Sequence, residues 1–67
     1  MTRAEVMRRY PIDTRVVATK LYRRAFPSCP TEGVIYGYSR GEPPLIRVLR
    51  GRQNTPVSYH PDFWRVP

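Results

Sequence analysis

GVIYGYSRGEPPLIRVLRGR, residues 33–52, decides the fold. It reads as two strands, Gly33 to Ser39 and Leu45 to Leu49, joined by the turn residues Arg40-Gly41-Glu42-Pro43-Pro44. Both runs are rich in Val, Ile, Leu and Tyr, residue types that suit a pleated, half-buried surface. Ile46 and Val48 alternate with Arg47, the mark of one buried face and one wet face. Gly37, inside the first run, predicts a bulge, a sharp bend or the close approach of another backbone.

C-terminal to this hairpin, Gly51-Arg52-Gln53-Asn54 is a second turn and Thr55 to Tyr59 a fourth strand. Pro56 lacks an amide hydrogen and belongs at the strand start or on an edge. His60 to Trp64 suits a single 3₁₀ turn, and Arg65-Val66 a last short strand. Phe63 and Trp64 are too large and apolar for both to be solvated, so at least one plugs the core. On the N-terminal side, Asp13 to Tyr22 reads as the first strand, with Val16 and Ala18 facing in. Arg23 to Glu32 reads as a ten-residue loop broken by Pro27 and Pro30 and anchored by Phe26. Thr2-Arg3-Ala4-Glu5 has the capping-box pattern, and Val6, Met7 and Tyr10 follow at helical spacing before Pro11. A short basic helix is therefore expected over residues 3–9, docked through Val6 and Tyr10 because an isolated helix so short is marginal. The expected layout is a helical arm, 1–12, and a β unit, 13–67, with Val16, Ile35, Ile46, Val48, Val57 and Phe63 in the core.

The totals bound what such a chain can be. Sixty-seven residues make a single small domain with a thin stability margin. The lone cysteine, Cys29, allows no internal disulfide and favours a reducing compartment. No apolar run approaches the roughly 18 residues of a membrane span, and residues 1–10 lack a signal-peptide core, so a cytoplasmic protein is expected. Eleven Arg and one Lys face five acids, a net charge of +7. That excess attracts polyanions, and the guanidinium fork suits phosphate in particular.

The order of elements resembles the SH3-like (Src-homology-3-like) small barrel: five short strands, a long loop after the first, two tight turns, and a 3₁₀ turn before the last strand. Asp13-Thr14-Arg15-Val16 and Gly33-Val34-Ile35 are loosely similar to the entry and second strand of KOW and Tudor-type barrels. Gly37-Tyr38-Ser39-Arg40, Ile46-Arg47-Val48-Leu49, Gly51-Arg52, Thr55-Pro56 and Ser58-Tyr59-His60 with Phe63 resemble short proteins of phages and other mobile elements. The resemblance implies an all-β, five-stranded barrel closed by the 3₁₀ turn, with a short N-terminal helix. It implies no particular activity, since this barrel hosts many unrelated functions.

Catalytic constellations are sparse. Ser58, His60 and Asp62 lie close in sequence, but a triad converges from separate segments, and here His60 and Asp62 are expected to satisfy backbone groups of the 3₁₀ turn. Cys29, His60 and Asp62 lack the spacing of a metal site, and each glycine is accounted for by a turn or bend, so neither metal nor cofactor is expected. The type II dihydrofolate reductase, an enzyme built on this barrel, uses a Val-Gln-Ile-Tyr run. The corresponding Val57-Ser58-Tyr59-His60 shares the valine alone, and a reductase of this type stands as the lesser, enzymatic alternative.

What remains is a basic surface interleaved with tyrosines. Tyr22, Tyr36, Tyr38 and Tyr59 neighbour arginines in sequence or by strand pairing, and rings beside phosphate-pairing arginines hold nucleic acid on small barrels. Two or more of these rings are equally suited to packing across strands. The expected binding face comprises Arg23, Arg24, Arg40, Arg47, Arg50, Arg52 and Tyr38. Its expected ligand is nucleic acid, RNA or DNA, or a ribonucleoprotein. The alternatives are an acidic host protein modulated by a phage or mobile-element product, and a structural, virion-associated role.

Overall fold

The computed structural model describes residues 2–67. Helix α1 spans Arg3–Arg9, and the Thr2 hydroxyl caps it by accepting from the Glu5 amide at 3.3 Å. Strand β1 spans Arg15–Ala18, helix α2 Lys20–Ala25, β2 Glu32–Tyr38, β3 Ile46–Arg50 and β4 Val57–Tyr59. A 3₁₀ turn over Pro61–Phe63 leads into β5, Trp64–Arg65. The strands form a single antiparallel sheet in the order β4-β3-β2-β1-β5.

Period two along the strands sets the core. Val16, Ala18, Ile35, Ile46, Val48, Tyr59 and Trp64 turn to one side, where Val6 and Tyr10 of the N-terminal segment and Tyr22 of α2 meet them. The arm and the sheet thus share one core. The Tyr10 hydroxyl stands 3.0 Å from Pro61 O and 2.9 Å from Trp64 O, so its proton ties the segment after α1 to the 3₁₀ turn. Tyr38 closes the other side by donating to Tyr10 O at 2.6 Å.

Several expectations are corrected. The sheet is open: β4 and β5 are its edges and do not pair with each other, so the 3₁₀ turn bridges the edges without closing a barrel. The first strand is four residues long, not ten. After Ala18 the Thr19 hydroxyl caps α2 by accepting from the Tyr22 amide, and Lys-Leu-Tyr-Arg-Arg-Ala continues as helix. These are mostly good helix formers behind an N-cap, and the helix places Tyr22 in the core. The expected loop of residues 23–32 therefore begins only after Ala25.

Trp64, not Phe63, is the plug. Trp64 pairs with Ala18 across β5 and β1, and the small partner leaves room for the indole. Phe63, one residue earlier in the turn, lies half-buried at the rim against the rings of Tyr22, Phe26 and Tyr59. Val57 was expected inside but is exposed, because it begins an edge strand with no neighbour beyond it. Gly33, read from sequence as a turn or bend, instead answers a close strand approach. A Cβ there would sit 2.6 Å from Val48 Cγ1 and 2.9 Å from Leu49 O.

Candidate nucleic-acid interface

The residues that alternate with the core make the outer face of the sheet. Register places Arg65 beside Val17 and Val17 beside Glu32, then Arg15 beside Val34 and Val34 beside Leu49, then Gly37 beside Arg47 and Arg47 beside Ser58. Between Ile35 and Gly37 the register slips by one residue, so Tyr36 is the extra residue of a bulge, as Gly37 foretold. Tyr36 is 57% exposed, and the Arg47 guanidinium carbon lies 5.9 Å from its ring centroid. Arg23 of α2 reaches the same face from the side, lining a depression with Val17, Glu32, Thr31 and Arg65.

Charge on this face is one-sided. Of the strand residues on this face, Arg15, Arg47 and Arg65 are basic and Glu32, which pairs with Arg15, is acidic, with Arg23 at the side. Two other acids have partners elsewhere: the Glu42 carboxylate accepts from the Arg3 amide at the hairpin tip, and Asp62 sits beside His60 in the 3₁₀ turn. Val34 and Leu49 form an apolar centre between the arginines, with a shallow depression of about 190 Å³ beside Arg15 and Glu32.

The arginines expected to form one face are not brought together. Arg47 and Arg23 belong to the outer face. Arg40 lies in the β2–β3 turn, past the Tyr38–Ile46 pair, whereas Arg50 is opposite Gly33 at the far end of the hairpin. Four residues of strand separate Ile46 from Arg50, about 13 Å at the usual rise. Arg52 is exposed in the turn after β3, and Arg24 is exposed on α2.

Arg50 is a structural residue. Its Nη1 donates to the Tyr22 hydroxyl at 3.1 Å, its Nη2 to Gln53 Oε1 at 2.8 Å, and its guanidinium lies 5.6 Å from the Tyr59 ring centroid. Because a guanidinium only donates, the Tyr22 oxygen accepts from it, and the same hydroxyl shares a hydrogen bond with that of Tyr59, 3.2 Å away. The hydrogen bond to Tyr22 raises the Arg50 pKa further, against the opposing effect of desolvation. Tyr38, also expected on the binding face, is occupied in holding Tyr10.

Sequence reasoning left Arg15, Arg65 and Tyr36 out of the binding set. The signal was present: each is one residue away from a buried strand residue, Val16, Trp64 and Ile35 respectively. In a strand, the neighbours of core positions are the opposite face by geometry alone.

Burial also shifts the tyrosines. It is the main cause raising the Tyr59 pKa well above the ordinary range, with the hydrogen bond to Tyr22 second. Burial likewise raises Tyr38, and it raises Tyr10 together with the nearby Asp62 carboxylate, against Arg9. A raised acid keeps its proton in the folded chain while the unfolded chain ionises, so this stability is intact below the ordinary pKa of about 10 and is lost above it. Unfolding free energy is therefore expected to be flat in these groups up to about pH 9 and then to fall, by up to about 1.4 kcal/mol per pH unit for each tyrosine. Urea titrations read by circular dichroism across that range check this.

The Ser58-His60-Asp62 cluster does not assemble as a relay. His60 Nδ1 accepts from the Asp62 amide at 3.1 Å inside the 3₁₀ turn, and Ser58 lies beside Arg47 on the outer face. Among the described residues, no three His, Cys, Asp or Glu side chains gather as a metal-ligand set. No helix there is long and apolar enough to cross a membrane. Neither a family model, a curated protein nor a solved structure matches the chain.

Proposed function

We propose that the chain is a non-enzymatic, SH3-like small β protein of the cytoplasm that binds nucleic acid, RNA or DNA, through the outer face of its sheet. The observation that carries this reading is the placement of Arg15, Arg47 and Arg65 on the outer face of one sheet, with Arg23 at its side and the exposed Tyr36 ring beside Arg47. Phosphates supply the opposite charge, and the arginine forks bind them without any need for sequence readout. The SH3-like kinship is supported by the order of strands and by the 3₁₀ turn ahead of β5.

A second reading comes from Val34 and Leu49. An apolar centre rimmed by arginines also fits an acidic host protein, the partner expected of a phage or mobile-element product. Fluorescence polarisation with short labelled oligonucleotides at low and moderate salt separates the two. With four arginines on phosphates, log affinity is expected to fall against log salt with a slope of about −3 on single strands. Absence of binding at low salt would remove the nucleic-acid reading and favour the protein partner.

A further inference from the structure

We infer that the bulge in β2 is a subsite for one unpaired nucleobase, stacked on Tyr36 over Gly37 with its flanking phosphate on Arg47. This makes the outer face selective for single strands over duplex, and it rests on the nucleic-acid reading above.

Three independent features meet there. First, the bulge leaves Tyr36 without a register partner, and although the Arg47 guanidinium stands over one side of its ring, the residue is 57% exposed. An exposed tyrosine this bare is uncommon on a sheet whose other tyrosines are all engaged. Tyr22 and Tyr59 are in the core, and Tyr10 and Tyr38 donate to backbone carbonyls.

Second, the next residue is Gly37, and a Cβ there would find no atom within 4 Å. Gly37 pairs with Arg47, so this open space belongs to the outer face. The backbone has no steric need of glycine at this position, in contrast to Gly33. What the missing side chain does leave is a flat, unobstructed area next to an aromatic ring, of the kind a planar base requires.

Third, the Arg47 guanidinium stands 5.9 Å from the ring centroid, close enough to polarise the ring and to reach a phosphate flanking a stacked base. A base within a duplex presents no open π-face to such a ring, because both its faces are covered by neighbours. A single strand presents one at every nucleotide, and stacking tolerates any sequence.

The test uses three labelled probes with the same total number of phosphates in fluorescence polarisation: oligothymidylate, an abasic sugar-phosphate strand of the same length, and a blunt duplex of half that length, to which binding is expected at the abasic level. The native chain is expected to bind oligothymidylate about ten-fold more tightly than the abasic strand, the range of one stacked base. Tyr36→Ala is expected to bring oligothymidylate down to the abasic level while leaving abasic binding unchanged, and Tyr36→Phe to retain the difference. Gly37→Val, whose Cβ meets no neighbour, is expected to fold normally and to lose the difference as Tyr36→Ala does. Equal affinity of the native chain for oligothymidylate and the abasic strand would overturn the subsite while leaving the nucleic-acid reading standing. So would a Tyr36→Ala variant that weakens both probes alike. No binding of any probe would remove both.

Discussion

Trp64→Ala is expected to unfold most of the chain at room temperature. The indole is 1% exposed and is the largest buried side chain. Its ring centroid lies 4.8 Å from Tyr22 and 5.7 Å from Tyr59, so it joins α2 to the far edge of the sheet. Truncating a buried Trp or Phe costs about 3–5 kcal/mol, through lost transfer energy and the cavity left behind. A single core in a domain of this size rarely supplies more than about 3–5 kcal/mol in total. The two figures are comparable, and so the folded state should no longer dominate. Phe63→Ala, at the half-buried rim, is expected to cost less and to leave a folded chain. Trp64→Phe should be tolerated far better than Trp64→Ala, because Trp64 Nε1 is buried without a hydrogen-bond partner and its removal leaves nothing unsatisfied. Urea unfolding followed by circular dichroism ranks the three. An unchanged midpoint for Trp64→Ala would refute the placement of the core.

Replacing Arg15, Arg47 and Arg65 together with Gln is expected to abolish most nucleic-acid binding without unfolding the protein. All three are exposed strand residues on the outer face, and surface changes of this kind usually move stability by less than about 0.5 kcal/mol each. Gln keeps part of the arginine's apolar stem while removing its charge. Binding should fall for two reasons. Three phosphate partners are lost, and the Glu32 carboxylate, no longer paired with Arg15, repels the strand. The salt slope is expected to drop from about −3 to about −1. Arg40→Gln and Arg52→Gln, at opposite ends of the β2–β3 hairpin, should leave the slope nearly unchanged. Arg50→Ala is expected to lower stability instead, because it strips the donor from Tyr22 in the core. A triple variant with the native slope would show that phosphates are held elsewhere.

Much of the fold was legible wherever local pattern and burial coincide. Ile46-Arg47-Val48 announced both faces of β3, Gly37 announced the bulge, and Thr2 with Pro11 framed α1. The errors arose where local sequence is compatible with two geometries. Asp13 to Tyr22 alternates well enough for a strand, while Thr19 and the helix formers after it are equally compatible with the helix that forms. Phe63 and Trp64 differ by one residue in a 3₁₀ turn, and the choice between them depends on Ala18, a partner 46 positions away that sequence alone does not reveal. Sheet closure is likewise a long-range property of β4 and β5, the two shortest strands.

The arrangement of the arginines is less legible in the sequence, for a related reason. Basic residues were grouped by closeness in sequence and by their presence at turns, which collected Arg40, Arg50 and Arg52. Strand geometry separates these, and it assembles instead Arg15, Arg47 and Arg65, which lie on β1, β3 and β5. Arg50 shows the same limit in another way. Its charge suggested solvent and phosphate, yet it faces the core side opposite Gly33 and is held there by Tyr22.

Backbone amide chemical-shift mapping during titration with a short single-stranded oligonucleotide tests the central claim most directly. The expected result is a contiguous set of shifts over Val34, Tyr36, Gly37, Arg47, Leu49 and Ser58, fading when salt is raised. Shifts confined to residues 40–44 or 51–54, or no shifts at low salt, would contradict the assignment of the outer sheet face as the nucleic-acid interface.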